Sequence, residues 1–209
     1  MFRPPLRFLA PLALTWACAV PLPSVDPAPT GAEEPPRTWT YVPDLPVSAP
    51  PYDEVHASWK QRLDVPYVYL EHLGSYAGTG ALIPVVYREL RAQGLEPDGP
   101  PFALFYDDPA RVPADELRSR ACIPIRGERA VRAPLRYEVL RSTTVGYAFV
   151  SGPYPDAPRA YPGVFAFLER MGWRRSGPIR EIYLVPPGSD PDPEALVCEI
   201  QIPAAPAER

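Results

Sequence analysis

The period of the hydrophobic pattern changes along the chain in an order that recurs. Residues 53–62 alternate, with Val55, Ala57 and Trp59 set against Glu54, His56 and Ser58, which predicts a first strand. Residues 66–73 alternate again and place Tyr67, Tyr69 and Glu71 on one face. After a glycine turn at 74–78 the period becomes helical. Leu82, Val86 and Leu90 recur every fourth position, predicting a helix over 80–93 with Pro84 in its first turn and Gly94 as its stop. Strands are predicted over 101–106 and 118–125. The second half reads the same way: strands over 135–140 and 144–151, a turn at 152–156, and a helix over 160–171 stopped by Gly172. In that helix Phe165 and Leu168 point inward, and Trp173 after the stop reads as core. Strands over 177–185 and 196–202 follow, the last ended by Pro203.

The recurrence is an internal duplication. At an offset of 78 residues, positions 69–109 align without a gap on 147–187. Ten identities result, among them Tyr69/Tyr147, Gly74/Gly152, Tyr76/Tyr154, Pro84/Pro162, Leu90/Leu168 and Gly94/Gly172. Most fall on turn glycines, prolines and helix-core positions, where a shared backbone demands them. The predicted class is α+β: two strand–helix–strand–strand units, about 64–126 and 135–203, with antiparallel sheets and a pseudo-twofold relation. A helix over one face of each sheet leaves the other face to line a cleft between the halves.

One residue breaks the apolar pattern of the 177–185 strand. Ile179, Glu181 and Tyr183 share a face by alternation, so a carboxylate stands between an Ile and a Tyr. It must reach water or find a partner. Its repeat mate is Ala103, so the acid is present on one side only.

Composition bounds the rest. Of 209 residues 33 are Pro, and ten of these fall in 21–51, which predicts an extended tether over 20–51 unable to pair into a sheet. Before it, Arg3 and Arg7 precede an apolar run from Phe8 to Val20, and Ala17-Cys18-Ala19 matches a cleavage site. Residues 1–19 therefore read as an export signal or membrane anchor, with Cys18 as a possible lipid site. The folded domain is expected over 52–204 and a tail over 205–209. The formal charge is −4, and −6 without Arg3 and Arg7, which disfavours nucleic acid as a partner. Membrane association is expected through the N-terminal segment alone. Cys122 and Cys198 either pair or stay apart as buried thiols. His56 and His72 have no clustered Cys or paired acid, so no metal site and no cofactor are expected.

The strings LGSY and SGPY before the helices, PFALFYDDPARVPADELRSRACIPI after the first helix, and GPIREIYLVPP with EIQIPA near the end resemble the GyrI-like small-molecule-binding domain, also called the AraC-type effector-binding domain. The resemblance covers about residues 53–204. It implies a duplicated α+β fold with a ligand groove between the halves, and an acidic residue on the penultimate strand that meets lipophilic cations; Glu181 of REIY stands at that place. Members include sensor domains joined to DNA-binding segments, stand-alone proteins and some hydrolases of small strained molecules, and haem-binding proteins share the fold. No DNA-binding motif is read in this sequence.

By alternation the expected groove wall is Glu181 and Tyr183 on one strand and Tyr147 and Phe149 on its neighbour, with Tyr67, Tyr69, Ala103 and Phe105 from the first half. Aromatic walls with a desolvated carboxylate suit a small lipophilic or cationic ligand. The expectation is an exported, stand-alone binding protein. The alternatives are a hydrolase using Glu181 with Tyr147 or another groove tyrosine, and a non-catalytic interaction protein whose cleft is filled.

Overall fold

The computed structural model describes residues 42–184 and 192–207. The expected export signal, Cys18 and the tether up to residue 41 lie outside the described residues, as do 185–191 at the end of the Glu181 strand. Among the described residues ten strands and two helices follow in order. They are β1 (Val47–Ser48), β2 (Ala57–Arg62), β3 (Val65–Leu73), α1 (Ile83–Ala92), β4 (Phe102–Phe105), β5 (Arg118–Pro124) and β6 (Arg136–Leu140). β7 (Thr143–Ser151), α2 (Tyr161–Arg170), β8 (Trp173–Arg175), β9 (Ile179–Tyr183) and β10 (Val197–Pro206) complete the chain.

All strands join one sheet in the order β1-β7-β10-β9-β4-β5-β3-β6, with β2 on the same edge of β7 as β1 and with β8 against the end of β10. Every pairing is antiparallel except β1 on β7. The units β3-α1-β4-β5 and β7-α2-β9-β10 have equivalent strand pairings, and they meet where β4 pairs with β9. The two expected sheets are therefore one continuous sheet.

Both helices begin in 3-10 turns, Gly80–Leu82 and Tyr154–Ala160. Pro155 and Pro158 lack the N–H that a regular α-helical start would use. Three expectations are corrected. Val47–Ser48 pairs although it lies in the Pro-rich run, because both residues keep their N–H groups and dock at an edge. β10 runs past Pro203 into the expected tail: Pro203 lacks only a donor, and its carbonyl accepts from Ser176 N at 2.8 Å. Trp173 sits at the margin of the core rather than within it: it is half-buried on β8, packs against the buried residues and is edge-to-face with Trp59 at 5.9 Å.

The sheet is strongly curled. Six ladder spacings separate β2 from β3, about 29 Å if flat. Yet three Cα steps, at most about 11 Å, join Arg62 at the end of β2 to Val65 at the start of β3. Beside that link the β6–β7 connection runs back the other way, and Asp64 Oδ1 accepts from Ser142 N at 2.6 Å.

Curling leaves two buried faces. α1 lies over β3 and β5, and α2 lies over β7, β2 and β10. Beneath the helices Val68, Ile83, Val86, Leu90, Ala148, Val164, Leu168 and Ile200 form the larger core. Tyr67, Tyr69, Phe102, Leu104, Cys122 and Ile182 form a second core on the opposite face. Cys122 and Cys198 are free thiols on opposite faces, three ladder spacings apart, about 14 Å and beyond disulfide reach.

Candidate functional site

Residues paired across a ladder share a face, so the register decides what surrounds Glu181. Glu181 pairs with Ala103 on β4 and with Ile200 on β10, and Ile200 pairs with Ala148 on β7. All four side chains point to the helix-covered face. β4 and β9 are the central strands between α1 and α2, so Glu181 lies on the floor between the helices.

Its carboxyl is buried, with 2 % of the residue exposed. Tyr161, the first residue of α2, donates its hydroxyl to Oε1 at 2.6 Å. Tyr183, two residues along β9, donates to Oε2 at 3.1 Å. Among the described residues no Lys or Arg pairs with the acid. Burial pushes its pKa up to about 7, with the two phenolic hydrogen bonds pulling the other way. Burial first, then the neighbouring acid, drives Tyr161 well above the usual phenol range, so it stays a donor. Burial and Glu181 do the same for Tyr183.

Two aromatic pairs flank this centre. Tyr154 packs on Tyr183 at 4.6 Å between ring centroids, and Tyr76 packs on Phe105 at 4.8 Å. The pairs are repeat mates at the offset of 78. Each polar group of the centre has an apolar mate: Tyr161 answers to Ile83, Glu181 to Ala103 and Tyr183 to Phe105.

The expected groove set therefore splits. Glu181, Tyr183, Ala103 and Phe105 share the helix-covered face. Tyr147, Phe149, Tyr67 and Tyr69 do not. β10 lies between β7 and β9, so Tyr147 and Phe149 are not on a neighbouring strand. Tyr147 pairs with Gln201, Phe149 with Glu199, and Tyr69 with Cys122, all on the opposite face. Tyr147 thus cannot serve as a catalytic partner of Glu181. Its hydroxyl donates to Asp44 Oδ2 at 3.0 Å, and burial with that acid pushes its pKa up to about 12.

The opposite face carries its own polar chain. Lys60, the sole lysine, sits 2.8 Å from buried Glu199 and 4.0 Å over the Tyr147 ring. Gln201 Nε2 donates to Glu199 Oε1 at 2.6 Å, and Arg180 stacks 4.1 Å over Phe102. Lys60, Gln201 and Glu199 satisfy one another, and Arg180 reaches Gln201 Oε1 at 3.5 Å while its Nε makes no hydrogen bond. This face reads as a second core whose charged groups are held among themselves.

Tyr161, Tyr154 and Tyr76 were outside the expected set. The repeat held a signal for Tyr161: like Glu181 it is a polar residue whose mate is apolar.

Residues 59–205 match the family model described as the GyrI-like small molecule binding domain. Among solved structures, the EcmrR C-terminal domain superposes with a TM-score of 0.65 at 19% identity, over 73% of this chain and 99% of that one. EcmrR in its DNA complex gives 0.65 at 18% identity; there this chain spans 58% of the longer one and 73% of itself is covered. A hydrolase encoded by lin2189 of Listeria innocua gives 0.54 at 11% identity, over 73% of this chain and 93% of that one. At such identities these likenesses show the fold. Among curated proteins no sequence matches the chain.

Proposed function

This chain belongs to the GyrI-like small-molecule-binding domain family, and from that premise we propose that it holds a lipophilic cation between α1 and α2, with Glu181 as the counter-charge. One observation carries the reading. A carboxyl is buried between aromatic pairs, and the described residues supply it with phenols and no cation. Ionising it there is costly, and a bound cation would lift that cost. Aromatic rings add affinity for a cation and for its apolar body. The net negative charge favours cationic over anionic partners and argues against nucleic acid.

Because Tyr161 and Tyr183 cover the carboxyl, the ligand reaches it by displacing a phenol. Tyr161 is the first residue of α2, so displacing its phenol moves the start of that helix. The proposed place of action is outside the cytoplasm, on the strength of Arg3, Arg7 and the apolar run that follows them.

The test is titration with a rhodamine-type dye cation, followed by quenching of Tyr and Trp fluorescence. Saturable binding that Glu181→Gln weakens at least about tenfold supports the reading. Equal binding by the variant would sink it.

A second reading has its own support. A carboxyl poised near neutral, 2.6 Å from a phenol, is suited to general acid–base work. It calls for turnover of a small ester or strained-ring compound that is lost in Glu181→Gln.

A further inference from the structure

The repeat and the ladder together place Glu181 more narrowly than either alone. Its repeat mate, Ala103, is also its direct cross-strand partner. The neighbouring pairs obey the same rule. Leu104 pairs with Arg180 and Phe102 with Ile182, and the offset of 78 residues exchanges one pair for the other. The pseudo-twofold axis therefore passes between Ala103 and Glu181. The acid stands at the centre of the groove rather than at one end.

The aromatic pairs then fall symmetrically about it. Phe105 lies two residues beyond Ala103 and Tyr183 two residues beyond Glu181, on antiparallel strands, so they extend in opposite directions. Two strand residues span about 7 Å. Tyr76–Phe105 and Tyr154–Tyr183 thus stand about 7 Å to either side of the axial pair, each as a ring-on-ring platform. On the axis itself the mate of the acid is a methyl group. Cross-strand Cβ atoms lie about 5 Å apart, so any larger residue at 103 would fill the space facing the carboxyl.

We infer, resting on the binding function proposed above, that the ligand carries its charge at its centre between two aromatic or apolar arms, and that Ala103 sets the room for that centre. A triarylmethane-type cation approaches this build, with two of its three aryl arms on the platforms and its charge shared between the central carbon and the arms. A long-tailed ammonium with its charge at one end would reach one platform only. The two arms meet unequal surroundings. One arm lies over Phe105 and Ile83, which offer no polar group, and the other lies beside the Tyr183 and Tyr161 hydroxyls. A ligand with one polar and one apolar arm would bind in a single orientation.

The experiment compares two monocations by calorimetry on the full chain: crystal violet, with its charge spread about a central carbon, and dodecyltrimethylammonium, with its charge at the end. Crystal violet is expected to bind at least about tenfold more tightly. Phe105→Leu should weaken crystal violet several-fold. Ala103→Leu should weaken crystal violet more than Phe105→Leu does. Equal or tighter binding of dodecyltrimethylammonium by the unaltered protein overturns the inference without any variant. So does an unaffected crystal violet affinity in a folded Phe105→Leu protein. If both cations bind alike and both depend on Glu181, the inference fails and the counter-charge reading stands. If neither binds, both fall.

Discussion

The hydroxyl of Tyr161 reaches Glu181 Oε1 at 2.6 Å from the first residue of α2, so the helix start and the sheet floor share one hydrogen bond. Removing it alone should be measurable. Tyr161→Phe takes away a donor that holds the Glu181 pKa down, so that pKa should rise above about 7. The carboxyl signal followed by NMR or infrared titration gives the shift. Leaving one buried oxygen without its phenol should cost about 1–3 kcal/mol of stability. A Glu181 titration that does not move in Tyr161→Phe would mean the bond is not formed in solution.

The same acid makes stability depend on pH with a defined sign. Its folded pKa, about 7, lies above the 4.5 of an unperturbed Glu. Between those values the folded state binds more protons than the unfolded one. Its contribution is therefore complete below about pH 4.5 and is lost as pH rises through about 7. The loss is on the order of 3 kcal/mol. Urea denaturation of the protein and of Glu181→Gln across that window should show the difference, with a flatter profile in the variant. Parallel profiles would contradict it.

The two faces should answer differently to mutation. Phe102 is fully buried on the face opposite Glu181, with Tyr67 at 5.4 Å and Arg180 over its ring. Phe102→Leu should lower stability by about 1–2 kcal/mol while leaving dye affinity unchanged. Tyr147→Phe, which loses only the bond to Asp44, should cost about 1 kcal/mol and likewise spare affinity. Tyr183→Phe, on the Glu181 face, should alter affinity. A dye affinity that follows Tyr147 and not Tyr183 would move the groove to the other side of the sheet.

Much of this was legible in the residues. The strands and helices follow the period of the hydrophobic pattern, and Gly94 and Gly172 stop both helices with positive φ of 67° and 69°. Glu181 was visible because its mate is Ala103. The neighbours of Glu181 were not, because alternation fixes parity within one strand but not which strand lies beside it. β10 enters between β7 and β9, and Tyr147 passes to the far face with it. Tyr161 escaped because a helix start gives no strand parity, although the loss of Ile83's apolar character at the second site was there to be read. The pairing of Val47–Ser48 was hidden by flanking prolines, whose missing donors say nothing of the residues between them.

Gly163 marks another contact that a mutation can test. A Cβ at this α2 position would lie 2.5 Å from Val55 Cβ, an atom that cannot swing aside. Gly163→Ala should destabilise by about 1–3 kcal/mol in urea denaturation, outweighing the roughly 1 kcal/mol gained in helix propensity. A more stable variant would mean that Val55 does not pack there.

Val55 belongs to a stretch that crosses the sheet edge from one face to the other. Asp44 takes the Tyr147 hydroxyl on the far face, Val47–Ser48 pairs with β7, Tyr52 donates to the Ser151 carbonyl at 2.8 Å, and Val55 presses on α2 two residues from Tyr161. Family similarity begins at residue 59, but the mechanical domain begins some fifteen residues earlier. Residues 44–55 are thereby tied at one end to the far face of the sheet and at the other to the helix that carries Tyr161, so the stretch ahead of the family match is an integral part of the packed domain.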